Sequence, residues 1–210
     1  QQVLRYLVNG YRSLYKTKET FFNGIEEVPY ANNITVGSDA QVSAHRYWAP
    51  RVQLAQMAVE EAIDGFRARL IESMKLRLRA DVPLAFCLSG GVDSASLVSI
   101  AVKEFGYQAA TFSIIDSDPR YNEYENMKAT IDDLGCAHTM IEIPRGDFFQ
   151  RLKKLIQYHD SPISTISYYV HAFLSEAISK GGYRVAISGT GADELVTGYY
   201  DHFNLQLYEM

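Results

Sequence analysis

Leu84-Ala85-Phe86-Cys87-Leu88-Ser89-Gly90-Gly91-Val92-Asp93-Ser94-Ala95-Ser96, residues 84–96, is the stretch on which the fold turns. Residues 84–88 are an unbroken apolar run, short and without alternation, as in a strand buried on both faces. Two glycines follow, and a helical pattern then runs from Ser94 to Phe105. Glycines between a strand and a helix let the backbone approach a ligand closely. The first N–H groups of a helix lack intrahelical acceptors, and its dipole favours an anion there. Ser89 and Ser94 add hydroxyl groups, so the segment reads as a phosphate cradle. It is not a Walker loop, because no Gly-Lys-Ser/Thr follows, and the third glycine of a dinucleotide fingerprint is missing. Asp93 sits among these donors. A carboxylate beside phosphates repels them unless a cation lies between, and Mg²⁺ favours one or two carboxylates plus phosphate oxygens.

The pattern around this stretch alternates between strands and helices. Upstream, apolar residues recur at helical spacing from Val52 to Leu78. Downstream, Ala109–Ile115 reads as a strand. A helix follows, opened by Asn122 and Glu125 in capping-box spacing and closed by Gly135 after Leu134. Thr139–Ile143 is a third strand. Asp147 is the expected cap of a helix through Gln157, with Phe148, Leu152, Leu155 and Ile156 on its inner face. Another helix spans about Tyr168–Ser179 and stops at Gly181-Gly182, and Tyr183–Ser188 is a fourth strand. This alternation predicts the α/β class, a parallel sheet with helices on both faces. Ligands of such sheets sit beyond the carboxyl ends of the strands, here just after Leu88, Ile115 and Ser188.

The last of these points carries a second motif, Ser188-Gly189-Thr190-Gly191-Ala192-Asp193-Glu194. A strand again ends in small residues and acids. If the two strand ends are neighbours, Asp93 and Asp193 can share one metal ion.

Composition narrows the classes. The chain has 210 residues, 47% of them apolar and 21% charged, with a formal net charge of −5. That is globular composition without a basic excess, which argues against nucleic acid or an anionic membrane as partner. The densest basic stretch, Arg67–Arg79, reads as a solvated helix face. Cys87 and Cys136 form neither a CxxC pair nor a disulfide framework, and Cys87 reads as a small core hydrophobe. No run approaches a membrane span or a signal peptide. A reducing, cytoplasmic setting is expected. Residues 1–50, with a short helix followed by short strands and turns, differ from residues 51–210, and Pro50 is the expected boundary.

Taken together, the motifs carry a resemblance. Ser-Gly-Gly-Val-Asp-Ser resembles the pyrophosphatase loop (PP-loop) of N-type ATP pyrophosphatases, of the adenine nucleotide alpha hydrolase-like fold. Residues 188–194 with Gly198-Tyr199 are similar to the Ser-Gly-x-Gly-x-Asp-Glu…Gly-Tyr signature of the asparagine synthetase family. Lesser matches stand in order at Gly24-Ile25…Val28-Pro29, Arg46-Tyr47-Trp48, Tyr121-Asn122-Glu123, His138…Glu142 and Asp160-Ser161-Pro162.

The resemblance implies ATP and Mg²⁺ as cofactors. Cys87, Ile114, Ser188 and Gly189 match the nucleotide contacts, and Ser89, Gly90, Gly91, Asp93 and Ser94 the phosphate contacts. Asp93 and Asp193 match the metal ligands. Asp93, Ser94, Asp193 and Glu194 form the catalytic set, with Glu194 orienting its loop. The implied reaction adenylates a small-molecule carboxylate, aspartate or a related acid, releases pyrophosphate, and forms an amide with glutamine-derived ammonia. A homodimer of the full-length form belongs to the same expectation. Thr190 stands where asparagine synthetases typically carry glutamate. The glutaminase domain is absent from this sequence: residues 1–50 resemble its tail and linker, and a lysine that the family supplies farther along would lie beyond Met210. Alternatives are a tRNA-thiolating or NAD-synthetase-like PP-loop enzyme, or a non-catalytic nucleotide-binding module. His138 and His159 read as structural, the Tyr168-Tyr169 and Tyr199-Tyr200 pairs as packing, and Asp160 and Ser164 as either turn residues or substrate contacts.

Overall fold

The computed structural model describes residues 1–51, 56–115, 118, 120, 122–144 and 146–209. The expected helix start at Val52 and Tyr121 of the lesser matches lie outside the described residues. The chain divides into two compact units, residues 1–57 with 147–169, and residues 58–146 with 170–210.

The first unit holds α1 (Gln2–Asn9), a 3₁₀ turn (Tyr11–Lys16) and a hairpin of β1 (Asn32–Val36) and β2 (Val42–Arg46), paired antiparallel from Asn32↔Arg46 to Val36↔Val42. It also holds α5 (Phe148–His159) and the start of α6 (Ile166–Lys180). The Tyr6 hydroxyl donates to the Ile163 carbonyl at 3.1 Å, tying α1 to the residues before α6. Asp147 precedes α5 but makes no capping hydrogen bond with its side chain. Its φ of +59° is left-handed, whereas a capping side chain needs an extended backbone to reach the first-turn N–H groups. The expected inner face of α5 is only partly covered, and Phe148 and Ile156 remain exposed.

The second unit is built on a parallel sheet of β3 (Leu84–Cys87), β4 (Ala110–Ile115), β5 (Ala137–Glu142) and β6 (Val185–Ile187), in the order β5-β4-β3-β6. Alternation along β3 explains why the run is apolar throughout. Leu84, Phe86 and Leu88 point to one face, where they meet Met74 of α2 (Val59–Arg77), Val98 and Ala101 of α3 (Val92–Lys103), and Ile131 and Leu134 of α4 (Tyr124–Leu134). Ala85 and Cys87 point to the other, with Phe112 of β4 and Leu174, Ala177 and Ile178 of α6. Leu84 and Phe86 are almost fully buried. Burying a side chain of this size contributes roughly 1.5–3 kcal/mol. Two short helices close the chain, α7 (Ala192–Val196) and α8 (Tyr200–Glu209). The fold class is therefore as the alternation predicts, a parallel sheet with helices on both faces.

Element ends differ from the sequence pattern where pairing decides them. β5 begins at Ala137 because its register against β4 starts at Ala110↔Ala137. The Asn122–Glu125 capping box does not form; Asn122 Oδ1 instead accepts the Tyr124 N–H at 2.8 Å. Gly135 ends α4 in the left-handed conformation, φ +62°, its N–H donating to Ile131 O, as a C-cap glycine does. The basic stretch in α2 is solvated, with exposed Arg67–Asp64 and Lys75–Glu72 pairs.

Candidate functional site

The strand order places the site. From β3 the sheet grows through β4 to β5, and β6 then adds on the opposite side of β3. The direction of growth reverses between β3 and β6, and the crevice at such a switch point is where parallel sheets bind ligands. β3 and β6 pair in register from Leu84↔Val185 to Phe86↔Ile187, so both glycine-rich segments leave the sheet at the same edge. They touch there: a Cβ on Gly189 would lie 3.0 Å from Ser94 N and 3.1 Å from Asp93 Cβ.

Hydrogen bonds set the shape of the first loop. The Ser113 hydroxyl, buried in β4, donates to the Leu88 carbonyl and fixes the chain where it leaves β3. Ser94 is the centre of the turn. Its Oγ accepts the Ser89 N–H at 3.0 Å and lies 2.9 Å from Ser89 Oγ, within 3.2 Å of the Ser89 and Gly91 carbonyls. The Gly91 N–H donates to Ser89 Oγ at 3.2 Å, and the Gly90 N–H donates to Glu123 Oε2 at 2.8 Å. Ser94 is 7% exposed, so its hydroxyl holds the loop together from inside. Residues 92–94 occupy the first turn of α3, where a helix supplies no acceptor for its N–H groups.

A cavity of about 540 Å³ opens at this edge. Cys87, Ser89, Gly91, Asp93, Ser94, Ile114, Ser188 and Gly189, all named from sequence, line it. α6 contributes an apolar stripe, Val170, Leu174 and Ile178, beside a polar one, His171 and Ser175. Thr190 also lines it, its Oγ1 2.8 Å from Ser188 Oγ, so a neutral hydroxyl pair occupies the mouth of the second motif. Among the described lining residues the carboxylates are Asp93 and Glu123, and none is Lys or Arg.

Gly90, Asp193 and Glu194 are not among the lining residues. Asp193 lies in the first turn of α7 with Oδ1 packed over the Cα of Gly198, whose N–H donates to the Asp193 carbonyl. Glu194 is exposed and accepts the Tyr199 hydroxyl at 2.7 Å, which holds its carboxyl below the usual range. Among the described residues no three His, Cys, Asp or Glu side chains converge to hold a metal. Asp93 contributes the one carboxylate of the glycine-rich loops to a cavity without lysine or arginine in its described lining, and one carboxylate plus phosphate oxygens is a donor set that Mg²⁺ accepts. Burial pushes the Cys87 thiol up, the behaviour of a core thiol rather than a nucleophile. His138 is equally structural, its Nδ1 2.8 Å from Thr111 Oγ1 with burial lowering its basicity.

Sequence reasoning missed three contributors. Ser113 gives no local signal, because one serine in a strand looks like any other. The α6 stripes follow helical spacing, but nothing in it says which face meets the cavity. Glu123 was visible only as part of a short match, and its contact with Gly90 depends on how α4 packs.

Comparison with known proteins gives matches by family, by sequence and by structure. The family model for asparagine synthase matches residues 65–209. The glutamine-hydrolysing asparagine synthetase 1 of Bacillus subtilis is 28% identical over 175 residues, covering 83% of this chain and 27% of that protein. Amidase chyE of Penicillium rubens is 26% identical over 206 residues, covering 90% and 30%. Among solved structures, the NH3-dependent NAD synthetase from Campylobacter jejuni aligns with a TM-score of 0.42 at 18% identity, over 69% of this chain and 62% of that one. The chain thus spans under a third of the length of the two curated relatives described here.

Proposed function

The chain belongs to the asparagine synthase family, and from that premise we propose that it is the ATP-binding, carboxylate-activating part of a glutamine-dependent amidotransferase. Residues 51–210 are the synthetase portion in this reading, and residues 1–50 the tail of a glutaminase domain with its linker. The observation that carries the proposal is the contact of Gly189 with Asp93 and Ser94, by which two separate motifs form one cradle at the switch point.

In this reading ATP lies across the β3 and β6 ends. The base packs near Cys87 and Ile114, and the β- and γ-phosphates face the Ser89–Ser94 loop and the first-turn N–H groups of α3. Asp93 would hold Mg²⁺, which supplies neutralisation of phosphate charge when bound. Asp193, whose carboxylate lies against Gly198, would be its second ligand. A carboxylate oxygen of the second substrate attacks the α-phosphorus, the bond to the β-phosphate oxygen breaks, and pyrophosphate leaves. Ammonia then attacks the acyl carbon, its nitrogen releases a proton to water, and AMP departs with the bonding electrons. The residues present contribute positioning and fixed dipoles, which lower a barrier without acid–base work. Thr190 and Ser188 offer neutral hydrogen bonds to the incoming acid, which favours a carboxylate other than aspartate. A cytoplasmic setting and a homodimer of the full-length form complete the proposal; among the described residues no helix is long and apolar enough to cross a membrane.

Isothermal titration of the chain with ATP tests the nucleotide step. Binding with Mg²⁺ that is lost in EDTA and in Asp93→Ala supports it, and no binding at any magnesium concentration removes it. The amide step is tested on full-length protein given glutamine, ATP and a panel of carboxylates. Pyrophosphate release dependent on one acid is expected, and orthophosphate release would point to other chemistry.

A further inference from the structure

One N–H of the phosphate loop is held by an element outside the loop. The N–H groups of Ser89 and Gly91 are satisfied by serines within the loop, but that of Gly90 donates to Oε2 of Glu123 at 2.8 Å. A carboxylate oxygen on a loop amide is what a phosphate oxygen would be: an anionic acceptor in the place built for one. The contact is not a chance reach of a long side chain. The start of α4 is packed directly on Gly90, where a Cβ would fall 2.4 Å from Glu123 Cβ and 3.0 Å from Glu123 O. Asn122 pins the same turn through the Tyr124 N–H. The backbone therefore delivers the carboxylate to the loop, while the side chain itself is exposed and able to swing away.

We propose that the Glu123 carboxylate is a built-in occupant of the phosphate loop, holding the Gly90 N–H until a phosphate oxygen displaces it. This rests on the reading of the loop as a nucleotide site. Electrostatics requires the displacement. Glu123 and Asp93 both line the cavity, and the described lining offers no lysine or arginine to offset them. A triphosphate seated at Gly90 meets the Glu123 charge at hydrogen-bonding distance, and like charges so close are unfavourable. The occupied loop is thus a non-binding state in equilibrium with an open one, and the apparent affinity falls by the fraction that is open. An exposed charge-assisted hydrogen bond that keeps the loop occupied about 70–90% of the time weakens binding roughly threefold to tenfold.

The test compares wild type, Glu123→Gln and Glu123→Ala by isothermal titration with magnesium pyrophosphate and with MgATP, and follows the Gly90 amide by NMR. In the free protein the Gly90 proton resonance is expected to move upfield in Glu123→Ala, reporting loss of the charged acceptor. Both ligands are expected to bind Glu123→Ala roughly threefold to tenfold more tightly than wild type, with Glu123→Gln between them. If wild type binds and Glu123→Ala binds equally or more weakly, the occupant is refuted and Glu123 supports the loop instead, with the nucleotide reading intact. If neither binds pyrophosphate or ATP, the nucleotide reading falls and the occupant falls with it.

Discussion

Replacing Gly189 by alanine tests whether the two motifs form one site. The added methyl would lie 3.0 Å from Ser94 N, 3.1 Å from Asp93 Cβ and 3.3 Å from Asp93 C. Non-bonded carbon contacts are comfortable near 3.5–4.0 Å, so the overlap is about half an ångström. The obstructing atoms belong to the backbone and Cβ of the first turn of α3, which no rotamer change can move. Overpacking of this kind costs about 1–3 kcal/mol, or roughly 4 °C of Tm per kcal/mol in a unit of this size. Relief comes by moving the α3 start away from β6, and a shift of about half an ångström is the tolerance of a functional constellation. ATP affinity should fall about tenfold. Gly65 provides the contrast. It lies within α2 with nothing within 4 Å of its Cβ position, so Gly65→Ala should stabilise by about 0.5–1 kcal/mol and leave ATP binding unchanged. Urea unfolding and ATP titration of both variants decide the matter. A Gly189→Ala protein with wild-type stability and wild-type affinity would refute the contact.

Ser94→Ala removes the acceptor of the Ser89 N–H and the partner of Ser89 Oγ. Leaving such a group unpaired costs about 1–3 kcal/mol, so urea unfolding should show that loss and nucleotide affinity should drop with it; an unchanged midpoint would exclude Ser94 as the centre of the loop. Burial holds the basicity of His138 below its ordinary value. The unfolded chain therefore takes up the proton first as pH falls below about 6.5, and stability is lost in that window and regained as pH rises. His138→Gln should flatten the dependence of unfolding midpoint on pH between about 5 and 6.5, and an identical slope in the variant would assign it to other groups.

The elements were legible because their patterns are local. The apolar run of β3, the glycine stop at Gly135 and the helical spacing of α3 each need only neighbouring residues. What stayed illegible depends on partners distant in sequence. Periodicity does not say which strand lies beside which, so the adjacency of β3 and β6, on which the site depends, was a condition rather than a reading. Asp147 has the right chemistry for a cap, yet its left-handed backbone turns it from the task. Asp193 stands in the first turn of α7 with its carboxylate against Gly198, a neighbour that residue type alone does not reveal. Side-chain type is written in the sequence, whereas side-chain direction is set by the element that packs against it.

The glycines make the same point with more force. Sequence logic assigns both glycines to the ligand, Gly90 to the phosphate loop and Gly189 to a nucleotide contact. The structure gives each a neighbour of its own protein: Gly90 admits the start of α4, and Gly189 admits the start of α3. Both demands follow from the same geometry. A cradle made of backbone N–H groups must be crowded from behind by the elements that hold it, since a loop free to move would surrender the preorganisation that makes fixed dipoles effective. A glycine-rich anion site therefore marks where other elements land as well as where the ligand goes. The side chain that lands with α4 is a carboxylate, so the contact that shapes the cradle also sets a charge against its ligand.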